Sequence, residues 1–414
     1  MRPKFPFPRR RAGQAALATG IAVASCAGLV LTQATPALAD PTETLVAVGS
    51  DTIQDVYNQF GIDAGGNQLA SYNAVNPVTQ ASHEIITPVN GTATANCSFV
   101  RPNGSGEGVA NLRLSINPNS TNASAAVQPA AGQGCVDIAR SSSGPGSLAS
   151  TTGPLVYVPF ALDGVAGATG GTAAGTAYNY TYTGATDHTQ HTVSVTPVAT
   201  AITTADQFTE TDLVTLYKSC SPVTEGGVTY DPTGTISGDT KIDLYVPQPG
   251  SGTRSFWAST LGFDGTNLPS CVHDTIIGGP LATATGGVQV EEHNGTPMTS
   301  DPNGFGPFSI AQWIAQRNGH SDRRHGAVVH SLNALSPFSN GNPATGSLNT
   351  SFPITRDVYS VVSFARVTST SDPLFSLLNG SNSFVCNEKS KIAGYGFGIL
   401  STCGEVVASL RAQG

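Results

Sequence analysis

The chain has 414 residues, including 47 glycines and 27 prolines, and its 19 basic and 27 acidic residues give a formal net charge of −8 at pH 7. This composition predicts that strands, turns and long loops outweigh helix. The acidic balance argues against nucleic acid as a partner, because such an interface needs clustered positive charge. Any bound anion must therefore be held by local dipoles and one or two arginines.

Residues 1–39 are predicted to be a secretory signal. A basic start at residues 2–11 precedes an apolar run at 15–31, and Ala37-Leu38-Ala39 forms a small-x-small cleavage site. A lipoprotein box ending at Cys26 is the alternative, but an apolar stretch follows it where a polar linker is usual. Cleavage after Ala39 leaves 14 basic and 27 acidic residues, a net charge of −13. The mature protein is expected to be secreted or associated with the cell surface.

The first two predicted units each consist of a strand, a polar turn and a helix. Residues 44–48 predict a strand, the turn Gly49-Ser50-Asp51-Thr52 follows, and residues 53–60 have helical spacing. Residues 98–100 predict a second strand, followed by a Gly/Ser turn that contains Ser105 and a helix beginning near Glu107. The free N–H groups at such helix starts favour anions.

Two further strands end in the same kind of turn. Residues 136–140 predict a strand that ends in hydroxyl groups at Ser141 and Ser142. Residues 241–246 alternate like a strand, and the turn that follows contains Gly250-Ser251-Gly252-Thr253 before a helix at 254–261 that Gly262 ends. Ligands of open α/β sheets bind beyond the carboxyl ends of strands, so four such turns favour an anion site over ordinary helix capping.

The remaining segments complete the predicted order of elements. They are a strand at 155–165, a surface loop or hairpin at 166–186, a helix at 209–217 capped by Thr209, a strand-to-helix transition at 304–315, a strand at 352–362, a Gly-rich hairpin region around Cys386 and Cys403, and a short helix at 404–412.

The sequence lacks the common signatures of an enzyme. No serine has glycine two residues before and two residues after it, and neither a GxxxxGK[ST] run nor an HExxH motif occurs. His188 and His191 lie in a polar loop, where solvated histidines are expected. We therefore expect neither catalysis nor a cofactor nor a metal.

In their order, these segments resemble the phosphate-binding subunits of phosphate ABC transporters, most closely an exported branch seen in actinobacteria. The segments that carry the resemblance are 48–52, 101–108, 137–142, 156–161, 209–217, 250–254, 305–309 and 352–356. The resemblance implies an α/β fold of the two-lobed periplasmic-binding-protein class (type 2), with mixed sheets and two crossovers between lobes. Residues 40–154 and 336–414 would form lobe I, and residues 155–335 lobe II.

The resemblance also implies the ligand contacts, which lie on four turns. They are Ser50, Asp51 and Thr52, then Ser105, then Ser141 and Ser142, then Ser251, Gly252 and Thr253. The chain departs from the family at Pro247, where an arginine is usual, and at Ser142, where an acidic acceptor is usual. Arg140 and Arg254 are the local cations expected to compensate, and the alternative for each is a surface or salt-bridged arginine.

We expect an exported, monomeric solute-binding protein that captures an inorganic oxyanion, with phosphate the leading candidate, for uptake through an ABC transporter permease. The alternative is an exported surface or adhesion protein that keeps the fold without binding an oxyanion. The six mature cysteines contain no C-x-x-C spacing, and their even number predicts disulfides. If each bridge stays within one predicted lobe segment, so that none restrains lobe closure, the pairs are Cys97–Cys135, Cys220–Cys271 and Cys386–Cys403.

Overall fold

The computed structural model describes residues 44–65, 68–88, 97–120 and 130–414. The predicted signal, with Cys26 and the cleavage site after Ala39, lies outside these residues. Within them, no helix combines the length and apolar character needed to cross a bilayer.

The strands are mostly short, and one is much longer than the rest. They are β1 (Leu45–Gly49), β2 (Leu69–Ser71), β3 (Ile85–Ile86), β4 (Phe99–Val100), β5 (Ile138–Ser141), β6 (Leu155–Thr169), β7 (Tyr178–Thr183), β8 (Gln190–Val195), β9 (Val223–Glu225), β10 (Val228–Asp231), β11 (Thr240–Lys241), β12 (Asp243–Tyr245), β13 (Val272–His273), β14 (Gly304–Ser309), β15 (Val328–Val329), β16 (Thr355–Ser363), β17 (Gly398–Ile399) and β18 (Arg411–Ala412).

The helices are also short. They are α1 (Gln54–Asp63), α2 (Ser105–Ile116), α3 (Glu210–Ser219), α4 (Gly252–Leu261), α5 (Thr296–Ser300), α6 (Ile310–Arg317), α7 (Phe364–Val367), α8 (Pro373–Leu378), α9 (Phe384–Asn387) and α10 (Lys389–Gly394). A 3₁₀ turn at Asp51–Ile53 joins β1 to α1.

One mixed sheet, of eleven strands within the described residues, organises the fold. Its order is β13-β12-β14-β6-β16-β5-β1-β2, and β15, β17 and β18 also pair with β6. β1 runs parallel to β2 and β5, and β12 runs parallel to β13 and β14, whereas β16 is antiparallel to both β5 and β6. The expected α/β class with a mixed sheet is confirmed.

β6 is the strand on which the two halves of this sheet meet. Its first part, Leu155–Gly164, pairs with β16, and the part from Val165 onward pairs with β14. The strand is apolar along most of its length and almost wholly buried, as a central strand covered on both faces must be. Asp163 lies at the point where the partner strand changes.

Several helix boundaries follow the capping residues read from the sequence. Thr209 forms a capping box with Asp212 at the start of α3. Ser251 accepts a hydrogen bond from Arg254 N at 3.0 Å, and Gly262 ends α4 in the left-handed conformation at φ 72°. The structure starts α2 at Ser105, two residues earlier than predicted, after Gly104 at φ 130°.

The segment from residue 166 to residue 200 contains the hairpin that the sequence left open. β7 and β8 pair antiparallel over Tyr178–Val195. β6 itself continues to Thr169, beyond the predicted end at 165. The predicted strand at 241–246 divides into β11 and β12, which belong to different sheets.

The prediction for the C-terminal region is wrong in two respects. The region around Cys386 is helical, since α9 contains Cys386 and α10 follows it directly. Just before them, Asp372 caps α8 ahead of Pro373, and the apolar Leu374, Leu377 and Leu378 share one face of that helix. Residues 404–412 do not form a helix; a 3₁₀ turn at Ala408–Leu410 leads into β18, which hydrogen-bonds to β6.

All three predicted disulfides are present. The Cα atoms are 5.4 Å apart in Cys97–Cys135, 5.7 Å apart in Cys220–Cys271 and 5.8 Å apart in Cys386–Cys403. The pairing prediction is therefore confirmed.

Gly104→Ala should destabilise the protein more than the same substitution at a glycine of positive φ with open space around it. A Cβ at Gly104 would lie 2.6 Å from Gly250 O, and φ 130° is itself unfavourable for alanine, at about 1–3 kcal/mol. Gly227→Ala is the control, because φ is 81° there and no atom lies within 4 Å of the added Cβ. Denaturant unfolding of both variants measures the difference, and equal losses would contradict the tight contact.

Candidate functional site

The starts of α2 and α4 touch each other. Gly106 N donates to Gly250 O at 2.9 Å. A Cβ on Gly252 would lie 2.3 Å from the hydroxyl oxygens of both Ser105 and Ser142, so a side chain there would have to displace them. Three of the four turns singled out in the sequence are therefore in direct contact.

Hydroxyl groups connect these turns. Ser105 Oγ accepts from Ser142 N at 3.0 Å and lies 3.2 Å from Ser142 Oγ. Ser141 lies on the same strand end, but its hydroxyl donates to Ser143 O at 2.7 Å within its own turn. Ser251 uses its side-chain oxygen as the N-cap of α4.

The fourth turn, which follows β1, lies beside them. Ser50 N donates to Arg140 O at 3.0 Å, while the buried Ser50 Oγ has no hydrogen-bond partner among the described residues. Asp51 pairs with Arg323 at 3.1 Å. Thr52 is fully buried, and its Oγ1 is 2.8 Å from His293 Nε2.

The expected ligand role of Arg140 is corrected by its contacts. Its N–H groups donate to the carbonyl oxygens of residues 47, 49, 50 and 72 and to Ser71 Oγ, which uses all five donors. Burial lowers the pKa of Arg140 to about 10. Arg140 thus fastens the turn after β1, and no N–H group is left for a ligand.

Arg254 is also bonded within the protein. Its Nε donates to Gly265 O at 2.7 Å, and its Nη1 donates to Pro247 O at 3.2 Å and to Asp274 at 2.7 Å. These bonds hold the loops around α4. A ligand role for Arg254 stays a prediction.

No sequence motif indicated the residue that faces the start of α4. Glu292 Oε1 accepts from Thr253 N at 2.9 Å and lies 3.5 Å from Thr52 Oγ1. Glu292 is 1% exposed, and Oε2 has no partner in the described parts of the chain. Burial raises the pKa of this carboxyl group, and the neighbouring Asp51 raises it further. Glu292 lies between the predicted helix at 254–261 and the predicted transition at 304–315, where the sequence contains no motif that points to it.

Arg356 supplies the cation of this arrangement. Its Nη2 donates to Thr253 Oγ1 at 2.8 Å, and Nε and Nη2 donate to Asp163 Oδ2 at 3.1 and 2.9 Å. Its Nη1 is buried and finds no acceptor within the described ranges. The segment 352–356 belonged to the resemblance, but nothing in it assigned a role to Arg356. We call Thr52, Thr253, Glu292 and Arg356 the anion seat.

His293 orients the Thr52 hydroxyl. Ser309 N donates to His293 Nδ1 at 3.4 Å, so Nδ1 is an acceptor. Burial, with Arg356 and Arg323 nearby, lowers the pKa of His293 well below its usual value and keeps the ring neutral. The proton therefore lies on Nε2 and is donated to Thr52 Oγ1, which leaves the Thr52 proton for Glu292 Oε1.

A polar pocket of about 230 Å³ lies next to the turn after β1. Its lining includes Asp51, Asn103, Glu291 and Arg323. Glu291 Oε2 accepts from Asn103 Nδ2 at 3.1 Å. Burial raises the pKa of Glu291 to about 7, and Asp51 acts in the same direction. The pocket thus presents charges of both signs.

No protein-family model and no curated protein matches this chain. Its structure is similar to one assigned as a phosphate ABC transporter substrate-binding protein, with bound phosphate, from Clostridium perfringens. That likeness has 12% identity and a TM-score of 0.43, and covers 87% of this chain and 100% of that chain.

Two further solved structures are similar at the same level. One, assigned as a phosphate-binding protein from Planctomyces limnophilus, has 11% identity and a TM-score of 0.38 over 87% of this chain and 94% of that one. A phosphate-binding protein from Stenotrophomonas maltophilia has 12% identity and a TM-score of 0.38 over 87% and 91%. At such values, likeness alone does not establish a shared ligand.

Glu291→Gln should change how stability depends on pH. The pKa of Glu291 is raised from 4.5 to about 7 in the folded protein, so the folded state holds a proton that the unfolded chain has already released. Wild-type stability therefore falls as pH rises through this window. Glutamine at position 291 does not titrate, so the variant does not lose stability in this window. The free energy of unfolding of the variant minus that of the wild type should therefore grow from about pH 5 to about pH 7.5 and then level off.

Thermal unfolding across this range measures the difference. Glu405→Gln, at an exposed position, is the control for the loss of one carboxylate. The groups that act on Glu291, namely Asp51, His83, Asn103 and Arg323, are the same in the wild type and the variant. A stability difference that stays constant with pH would contradict the raised pKa.

Proposed function

We propose that this protein is an exported solute-binding protein that captures a small inorganic oxyanion, with phosphate the leading candidate, and delivers it to an ABC transporter permease. Export rests on the predicted signal at residues 1–39. The proposal includes two lobes, residues 40–154 with 336–414 and residues 155–335, that meet at the anion seat. It includes neither catalysis nor a cofactor, and it takes the protein to be a monomer.

One observation carries the proposal. The chain holds an oxyanion group, the Glu292 carboxylate, on the first turn of α4 through Thr253 N. A carboxylate and a phosphate or sulfate ion present the same kind of acceptor oxygen to an N–H donor. The seat is therefore built to receive such oxygens.

Unpaired polar atoms support the same interpretation. Arg356 Nη1 belongs to the seat itself and Ser50 Oγ to the turn after β1, and both are buried without a partner in the described residues. Buried polar groups normally have partners, so such exceptions require an explanation. Both atoms can donate to an oxyanion, which would supply the missing acceptors.

The arginines near the seat are already paired with carboxylates, which predicts modest affinity for an external anion. Arg356 already pairs with Asp163, and Arg323 already pairs with Asp51. A bound anion would therefore depend mainly on neutral donors, since the position of the expected arginine is Pro247. Each hydrogen bond to a charged group contributes about 1.5–3 kcal/mol, so the absence of a free arginine weakens binding by at least about tenfold.

A specific observation also favours the alternative, an exported surface protein that does not bind oxyanions. Glu292 fills the donor position at Thr253, and the two arginines expected to compensate are both bonded within the protein. The alternative predicts that no external anion enters the seat.

Calorimetric titration of the mature protein with phosphate, sulfate and arsenate should give saturable binding of at least one anion. Ser50→Ala should then weaken binding about ten- to a hundredfold, because it removes one hydrogen bond to a charged ligand. Fold stability should change by less than about 0.5 kcal/mol, since Ser50 Oγ has no bond to lose within the described residues.

Ser383→Ala is the matched control. Ser383 is 3% exposed and its Oγ also lacks a described partner, but it lies at the start of α9 and not in the seat. The control should bind like wild type. If wild type gives no heat with any of the anions, the surface-protein alternative is favoured.

A further inference from the structure

We propose that Glu292 is the resident anion of the seat: its carboxylate occupies the position of an external oxyanion and must withdraw before one binds. The proposal deepens the proposed function, on which its prediction for inorganic anions rests. In this proposal, Glu292 occupies the seat when no external anion is bound, and it also lowers the affinity of the seat for such an anion.

The contacts of Glu292 are those of a ligand. One carboxylate oxygen accepts the Thr253 N–H at 2.9 Å, and the Thr52 hydroxyl lies 3.5 Å away from the same oxygen. Arg356 is bonded to the Thr253 side chain at 2.8 Å, and its charge favours the ionised form of Glu292. A helix start and a hydroxyl thus contact one carboxylate that comes from a distant loop, and a guanidinium acts on it electrostatically.

The hydrogen bonding of this carboxylate is incomplete. Glu292 Oε2 is buried without a hydrogen-bond partner among the described residues, and Arg356 Nη1 is likewise without one. A carboxylate built only to stabilise the fold would be expected to have both oxygens satisfied. An anion with more oxygens can accept from Thr253 N and from Arg356 Nη1 together, so exchange is chemically reasonable.

Simultaneous occupation is excluded by charge. Two anions at hydrogen-bonding distance from the same N–H repel each other strongly, and the buried surroundings screen this repulsion much less than water does. Asp51 and Asp163 do not relieve it, because they are negative and already paired with Arg323 and Arg356. Removing the Glu292 charge should therefore tighten the binding of an external anion.

The experiment uses the full mature protein with Glu292→Gln and Glu292→Ala, and with Glu405→Gln as the control for charge. Calorimetry with inorganic phosphate should show that both Glu292 variants bind at least about tenfold more tightly than wild type, as expected when a competing charge-assisted hydrogen bond is removed. Glu405→Gln, at an exposed position, should bind like wild type.

A second measurement tests occupancy without inorganic anions. Acetate has the same carboxylate and neighbouring carbon that Glu292→Ala removes. Millimolar acetate should therefore raise the melting temperature of Glu292→Ala and leave those of wild type and Glu405→Gln unchanged. Circular dichroism and intact disulfides verify that each variant is folded.

The outcomes separate the two proposals. Stabilisation of Glu292→Ala by acetate, without phosphate or sulfate binding in any protein, supports the resident anion and refutes the proposed function. Phosphate binding that is equal in wild type and both Glu292 variants, or weaker in the variants, overturns the resident anion and leaves the proposed function standing. If the folded variants bind neither acetate nor any inorganic oxyanion, both proposals fail.

Discussion

The buried ion pair between Asp163 and Arg356 is the interaction on which the site depends. Asp163 lies where β6 exchanges β16 for β14 as its partner, and its Oδ1 accepts from Ser309 Oγ and Ala311 N at the start of α6. Its Oδ2 holds Arg356, which reaches Thr253 at the start of α4. A buried charge is costly unless it is paired and hydrogen-bonded, so this pair fixes how both halves of the sheet meet.

Close backbone contact is the second constraint. Gly104 and Gly252 allow the starts of α2 and α4 to approach to within one hydrogen bond, and Ser105 and Ser142 fill the space that remains. The donors of the site are thus positioned by the backbone and by short side chains, which lose little conformational entropy when they are ordered.

The sequence predicted the structural features that depend on interactions between residues close together in the chain. The strand–turn–helix units, the caps at Thr209 and Ser251 and the stop at Gly262 rest on interactions within a few positions, so local patterns reveal them. The disulfide pairing was also predicted, because it followed from keeping each bridge within one segment. The helices near Cys386 were missed, since the abundant turn residues there outweighed the apolar spacing of α8.

The chemistry of the seat was not predictable in the same way. Glu292 contacts Thr253 across 39 positions, and Arg356 contacts it across 103. No pattern links residues so far apart, whereas Arg140 and Arg254 attracted attention because they lie next to the turns. Sequence shows that a cation is near a turn, but it does not show that protein oxygens already accept from all of its donors, as they do for Arg140.

The pairing of the arginines shows what an entering anion would meet. Arg140 and Arg254 are bonded to protein acceptors, and Arg323 pairs with Asp51. Arg356 pairs with Asp163 and bonds to Thr253 of the seat, and its Nη1 has no acceptor among the described residues. At Pro247 the backbone carbonyl accepts from Arg254, so this position contributes an acceptor to the loop before α4. With its cations paired in advance and a carboxylate in place, the seat has little net positive charge. Selection among anions must then depend on how well an anion's oxygens match the fixed donors at Thr253, Thr52 and Arg356, because a general electrostatic attraction is absent.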